Sequence, residues 1–183
     1  MLSTMNLKNE LTEGCIINMI VIFLDIDGVL NSEESFKDIF HTDPHSHRNW
    51  MPHEMHLKHL SKIVKETNAK IVISSAWRIG CTQLRMWNAF FTALGYPHIE
   101  VIGVTPYLGT VNRGTEIQRW LDIKYSYNEK SNDFADIKFA IIDDCPDMNH
   151  LSTHLFKTEY STGLTEKIAN EVIMFLNKGI NND

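Results

Sequence analysis

Residues 21–31 read Val-Ile-Phe-Leu-Asp-Ile-Asp-Gly-Val-Leu-Asn. An unbroken apolar run, Val21 to Leu24, stops abruptly at two carboxylates, Asp25 and Asp27, with one apolar residue between them. Four apolar residues without polar alternation predict a strand buried on both faces, as in a parallel sheet. Gly28 marks the turn off that strand and lets the backbone approach a ligand closely. Two acids at the carboxyl end of a buried strand are costly unless they hold a metal or do chemistry.

The layout recurs. Ile71-Val72-Ile73 runs into Ser74, Ser75, Ala76, Trp77 and Arg78, a second buried strand ending in hydroxyls and a guanidinium. Phe139-Ala140-Ile141-Ile142 runs into Asp143 and Asp144. Three parallel strands bring these tips to one edge of the sheet, where open α/β proteins bind ligands.

Working outward, further strands are predicted at Glu100–Gly103 and His154–Lys157. Apolar residues at helical spacing predict helices over 53–67, 82–94, 114–123 and 165–176. One helical turn is expected around Glu34–Phe40. Strands and helices alternate, so the class is α/β: a parallel sheet of about five strands with helices on both faces. Residues 1–18 carry little periodicity and read as an N-terminal extension to a single domain over 19–183. Residues 32–52 read as an insertion loop. With 53–67 needed to cover the sheet, that loop is a minimal cap, too short for a separate lid domain.

The chain has 183 residues, 43% of them hydrophobic, and a net charge of −6. This suits one globular domain with a sizeable core. There is no long basic run, which argues against tight nonspecific binding of nucleic acid. The three cysteines, Cys15, Cys81 and Cys145, form no Cys-x-x-Cys pair and suggest a reducing compartment. The apolar stretch 15–24 follows Glu10 and Glu13, lacks a cleavage site and is too short to span a bilayer. The expectation is a cytoplasmic protein with no membrane association and no obligate protein partner.

With these residues in view, the chain resembles the haloacid dehalogenase-like (HAD) phosphohydrolases. Asp25-Ile26-Asp27-Gly28 stands as the nucleophile motif, Ser74 as the hydroxyl motif and Asp143-Asp144 as the late acid pair. The strings FLDIDGVLN, IVISSAWR, RGTEIQRWL and IIDD look like the HAD domains of "Swiss Army knife" RNA-repair-like proteins. The resemblance implies a Rossmann-like three-layer sandwich and Mg²⁺-dependent phosphoryl transfer. It implies Asp25 as nucleophile, forming an aspartyl-phosphate, and Asp27 as general acid and then base. Metal ligands would be Asp25, the Asp27 carbonyl and Asp144, with Asp143 assisting or exchanging roles with it. Ser74 and Ser75 would contact the phosphate. The expected substrate is a phosphorylated molecule, with a polynucleotide end or nucleotide favoured by the resemblance and by an open site mouth. A small-metabolite phosphatase is the alternative.

In one respect the chain departs from the family. The family's third motif supplies a lysine to the phosphate, and Lys138 lies at the wrong end of its strand for this. Arg113, opening a helix whose N-terminus adds positive charge, is the expected replacement. Arg78 is expected to supply a second phosphate contact.

Other residues invite different readings. Six of the nine histidines fall between His41 and His59, but their spacing is irregular for zinc, and His53, His56 and His59 share a helix on which they are expected to face solvent or, beside the insertion loop, the substrate rim. Trp87 and Trp120 are expected in the core, Trp77 beside the phosphate motif or under its turn, and Cys145 as packing. A phospho-accepting receiver domain would carry its acid pair on the first strand, not the last. A catalytically silent phosphate-binding domain would normally lack Asp25 or Asp27.

Overall fold

The computed structural model describes residues 19–42, 51–109, 111–129 and 137–178. Five strands form one parallel sheet: β1 Met19–Leu24, β2 Lys70–Ile73, β3 Val101–Val104, β4 Ile137–Asp143 and β5 Leu155–Lys157. Their order is β3-β2-β1-β4-β5. β1 is central, with Leu24 level with Ile73 on one side and Ile142 on the other. The chain winds outward through β2 and β3, then returns across β1 to β4 and β5. The change of direction falls between β1 and β4, the switch point at which such sheets bind ligands.

The strands are apolar throughout because both faces are covered. Val21, Ile22, Phe23 and Leu24 are all fully buried. Ile22, Leu24, Ile71, Ile73 and Ile142 face one layer, made by helices α2 (Glu54–Thr67), α3 (Leu84–Ala93) and α5 (Glu166–Asn177). Val21, Phe23, Val72 and Ile141 face the other, built from helix α4 (Arg113–Glu129) and the 3₁₀ segment Asn149–His154. Phe23 meets Trp120 of α4 edge-to-face at 5.3 Å between ring centroids. Each such side chain contributes roughly 1.5–3 kcal/mol by leaving water. The result is the three-layer α/β sandwich expected from the strand pattern.

Helix ends follow local chemistry. Asn68 closes α2 in the left-handed conformation, with its N–H on the Val64 carbonyl. The Thr165 hydroxyl caps α5 by accepting from the Ile168 N–H. Two helices are longer than the pattern predicts. The turn expected near Glu34 is helix α1, Glu33–Thr42. Its start is a reciprocal cap: Ser35 N–H donates to Ser32 Oγ at 3.2 Å, and Ser32 N–H to Ser35 Oγ at 2.8 Å. Behind that polar device the apolar spacing is a single turn long, Phe36, Ile39 and Phe40, so only one turn is readable. Likewise α4 continues to Glu129, past the end of its apolar spacing at Ile123. The N-terminal extension, most of the cap loop's second half, His45, His47 and Trp50 lie outside the described residues. No helix among the described residues is long and apolar enough to cross a membrane.

Candidate active site

The carboxyl ends of β1, β2, β3 and β4 converge. Asp25 continues the sheet by donating its N–H to the Ile142 carbonyl at 3.0 Å. Its Oδ1 accepts the Ile26 N–H at 2.8 Å. The chain then turns tightly, with the N–H groups of Val29, Leu30 and Asn31 all directed at the Ile26 carbonyl. Gly28 sits at φ +71°, and a Cβ there would lie 2.4 Å from Asp144 Oδ2. Glycine is therefore required twice, for the left-handed backbone and for Asp144 to come close. The Asp27 carboxylate is held by two donors: Asn31 Nδ2 gives Oδ1 a hydrogen bond of 2.8 Å, and Trp77 Nε1 gives Oδ2 one of 2.9 Å.

Asp25, Asp143 and Asp144 form a cluster whose ligand atoms lie within 4.8 Å of one another. Asp143 is fully buried. Its Oδ1 accepts the Cys145 N–H at 2.8 Å, while its Oδ2 has no hydrogen-bond partner. Burial pushes the Asp143 carboxyl up to about 7, helped by the neighbouring Asp25 charge and opposed by Arg113 and the Cys145 N–H. Burial and Asp25 also raise Asp144. Three crowded, partly dehydrated carboxylates with only oxygen donors are the ligand set a hard divalent cation prefers. Asp143 Oδ2, which makes no hydrogen bond, and Asp144, drawn in against Gly28, both fit such an ion.

Arg113 stands over this cluster. Its Nη2 lies 3.7 Å from Asp25 Oδ2 and its Nη1 3.7 Å from Asp143 Oδ2. Nη1 is buried without a hydrogen bond. Gly114 lets α4 begin here, since a Cβ there would lie 2.3 Å from the Met148 carbonyl oxygen. Asn112 caps the helix through Thr115 N–H. Lys138, by contrast, rests on the Lys178 carbonyl at the far end of β4.

The β2 tip separates three residues that the sequence groups together. Ser74 is buried, with its N–H on the Leu24 carbonyl and its hydroxyl unpaired. The Ser75 hydroxyl instead caps the 3₁₀ turn Ala76–Ile79 by accepting the Trp77 N–H at 3.3 Å. Arg78 does not present its guanidinium as a free phosphate hook. It is 3% exposed, donates to the carbonyls of Ser74, Ser75 and Thr105, and pairs with buried Glu116. Burial lowers Arg78 from its ordinary value and the Glu116 charge opposes that fall. Glu116 also accepts the Leu108 N–H at 3.0 Å. The pair ties the β2 tip, the β3 tip and α4 together, and both residues line the cleft beside Arg113.

Thr105 was not among the residues expected at the site. It follows β3, receives strand continuity from the Ile73 carbonyl, and buries an unpaired hydroxyl. A hydroxyl ending a short apolar strand was the available signal. Among the described residues, the unpartnered buried side-chain polar atoms are Ser74 Oγ, Thr105 Oγ1, Arg113 Nη1 and Asp143 Oδ2. All four belong to strand tips or the α4 N-terminus. A cleft of about 260 Å³ opens beside Arg113, lined in part by Ile79, Tyr107, Val111, Asn112, Cys145 and Asp147.

The histidines resolve differently from their sequence reading. His56 is fully buried, not on a solvent face. Its Nδ1 contacts the Leu164 carbonyl and its Nε2 the Ser32 hydroxyl, each at 3.0 Å. It therefore anchors the loop after Gly28, and burial lowers its pKa below the ordinary 6.5. His53 lies at the N-cap of α2 and accepts the Met55 N–H. Among the described residues, the carboxylate trio is the group placed to hold a metal, with no histidine in it. Trp87 and Trp120 are core residues, as expected. Cys145 is exposed at the cleft.

A family model described as "HAD domain in Swiss Army Knife RNA repair proteins" matches residues 21–169, and the chain belongs to this family. No curated protein and no solved structure matches it.

Proposed function

Proceeding from membership of that HAD-domain family, which supports a HAD-type phosphohydrolase, we propose that the protein is a Mg²⁺-dependent phosphomonoesterase using Asp25 as nucleophile. The observation that carries this is the acid trio Asp25, Asp143 and Asp144 under Arg113, with four buried polar atoms at the strand tips and the α4 N-terminus that make no hydrogen bond among the described residues: two hydroxyls, a guanidinium nitrogen and a carboxylate oxygen. Leaving the two hydroxyls of Ser74 and Thr105 unbonded costs about 1–3 kcal/mol each, while the guanidinium nitrogen and the carboxylate oxygen face each other at 3.7 Å without a hydrogen bond. Hydroxyl donors and a guanidinium match the oxygens of a tetrahedral phosphate, and the carboxylate oxygen matches a cation.

Asp25, Asp143 and Asp144, with the Asp27 carbonyl, would hold Mg²⁺, whose charge offsets repulsion between phosphate and carboxylates. The chain's own groups do the rest. Ser74, Thr105 and Arg113 orient the phosphate and neutralise its charge, assisted by the N-terminus of α4. Asp25 forms a bond to phosphorus as the bond to the ester oxygen breaks, and a proton on Asp27 passes to that oxygen. Water then adds to phosphorus, gives a proton back to Asp27, and the bond to Asp25 breaks. Ester and water are consumed; alcohol and inorganic phosphate leave.

For the substrate we favour a phosphate at a nucleic acid end. The family description supports this. So does the cleft beside Arg113, where Tyr107 is 60% exposed and available to stack on a base. The test compares 3′- and 5′-phosphorylated oligonucleotides, mononucleotides and sugar phosphates, with and without Mg²⁺, using wild type and Asp25→Asn. We expect a specificity constant highest for oligonucleotides and falling with salt. Activity should vanish in chelator and in Asp25→Asn. Equal or better turnover of small metabolites refutes the substrate assignment; hydrolysis surviving in Asp25→Asn refutes the covalent route.

A further inference from the structure

We propose that Trp77 is a positioning residue for Asp27, its indole N–H aiming the carboxyl at the leaving oxygen; this rests on the phosphomonoesterase reading above. Asp27 and Trp77 are separated by 50 positions in sequence, yet Nε1 lies 2.9 Å from Oδ2. Trp87 gives its own N–H to a backbone carbonyl, that of Cys81, which is the ordinary way to satisfy a packed indole. Trp77 gives its N–H to a half-exposed acid that water could otherwise solvate.

The indole is itself held firmly. Ser75 caps the turn that carries it, and the Arg78 guanidinium fixes the carbonyls of Ser74 and Ser75 just before it. Its ring leans on Phe90 at 6.4 Å between centroids. The same short turn thus sets both the Ser74 hydroxyl and the orientation of Asp27.

Donor type decides what this arrangement does. An indole N–H only donates, and so does the Asn31 amide nitrogen on the other oxygen. One donor on each oxygen fixes the plane of the Asp27 carboxyl. Without Trp77 the carboxyl can swing about its last torsion, which is broad and soft, and it faces the leaving oxygen less often.

Trp77→Phe keeps the ring against Phe90 and removes only the N–H. An ester of a poor leaving group, such as glycerol phosphate, needs the proton; 4-nitrophenyl phosphate expels a stable anion and hardly does. We expect kcat to fall about tenfold or more for the former and less than about threefold for the latter, with KM unchanged. Equal falls for both esters, a change confined to KM, or no change overturns the role. An independent readout is the indole N–H resonance that disappears in Trp77→Phe. It should move in Asp27→Ala, and a resonance that stays put overturns the contact. Wild-type protein that hydrolyses neither ester counts against the phosphomonoesterase reading and with it the role, while the resonance alone decides the contact.

Discussion

Replacing Arg113 by alanine removes the cation that stands 3.7 Å from both Asp25 Oδ2 and Asp143 Oδ2. A unit charge pair at that distance is worth about 4 kcal/mol at an effective dielectric constant of about 20. Only 18% of the Arg113 side chain is exposed, so screening is limited and desolvation offsets part of the attraction. The net loss of transition-state stabilisation should be about 2–4 kcal/mol. In kcat/KM that is roughly 30- to 1,000-fold. Stability gives a second, independent arm. In metal-free protein Asp143 titrates at about 7, against 3.8 as the ordinary value, so between those pH values the folded state binds the extra proton. Native stability therefore falls as pH rises through that window. Arg113 opposes the rise, and its removal pushes Asp143 higher still. Urea unfolding in chelator should show Arg113→Ala costing little near about pH 5 and clearly more near about pH 8. Arg113→Lys should recover part of the activity. Lys138→Ala should match wild type, because its ammonium rests on the Lys178 carbonyl. Equal destabilisation at both pH values, or hydrolysis within about threefold of wild type, refutes the assignment of Arg113 as the phosphate-side cation.

Gly28→Ala places a Cβ 2.4 Å from Asp144 Oδ2 at φ +71°. It should cost about 1–2 kcal/mol in denaturant unfolding and weaken Mg²⁺ binding in calorimetric titration; unchanged metal affinity would detach Asp144 from the ion. His56 has a folded pKa below 6.5, so its contribution is fully present above that pH. The contribution is lost as pH falls through the folded value, because the unfolded chain then binds the proton more readily. Unfolding followed downward from about pH 8 should show this loss in wild type, and His56→Asn should flatten it.

Much of the site's composition is readable from neighbouring residues. Val21–Leu24 followed by Asp25 and Asp27, or Phe139–Ile142 followed by Asp143 and Asp144, announces a doubly buried strand ending in chemistry. The signal is local: an apolar run can bury both faces, and charge cannot follow it inward. The parallel sheet and the edge carrying the acids are both consequences of that patterning. Ser32 and Ser35 show where it weakens, since α1 begins on a reciprocal hydroxyl cap with only one turn of apolar spacing, Phe36 to Phe40, behind it.

Partner choice is another matter. Ser74 and Ser75 are identical in type and adjacent, yet one buries an unpaired hydroxyl at the site and the other caps a turn. Arg78 looks as available as Arg113 until Glu116, 38 positions away, folds against it. Trp77 reaches Asp27 across 50 positions, and His56 reaches the Leu164 carbonyl across 108. The sequence by itself determined which residues end the strands, because burial of an apolar run is a property of the run. Only the tertiary structure decided which cation meets which acid and which donor aims which carboxyl. Those pairings depend on distances between elements far apart in the chain, and side-chain charge and hydrogen-bonding capacity are the same before any partner has been chosen.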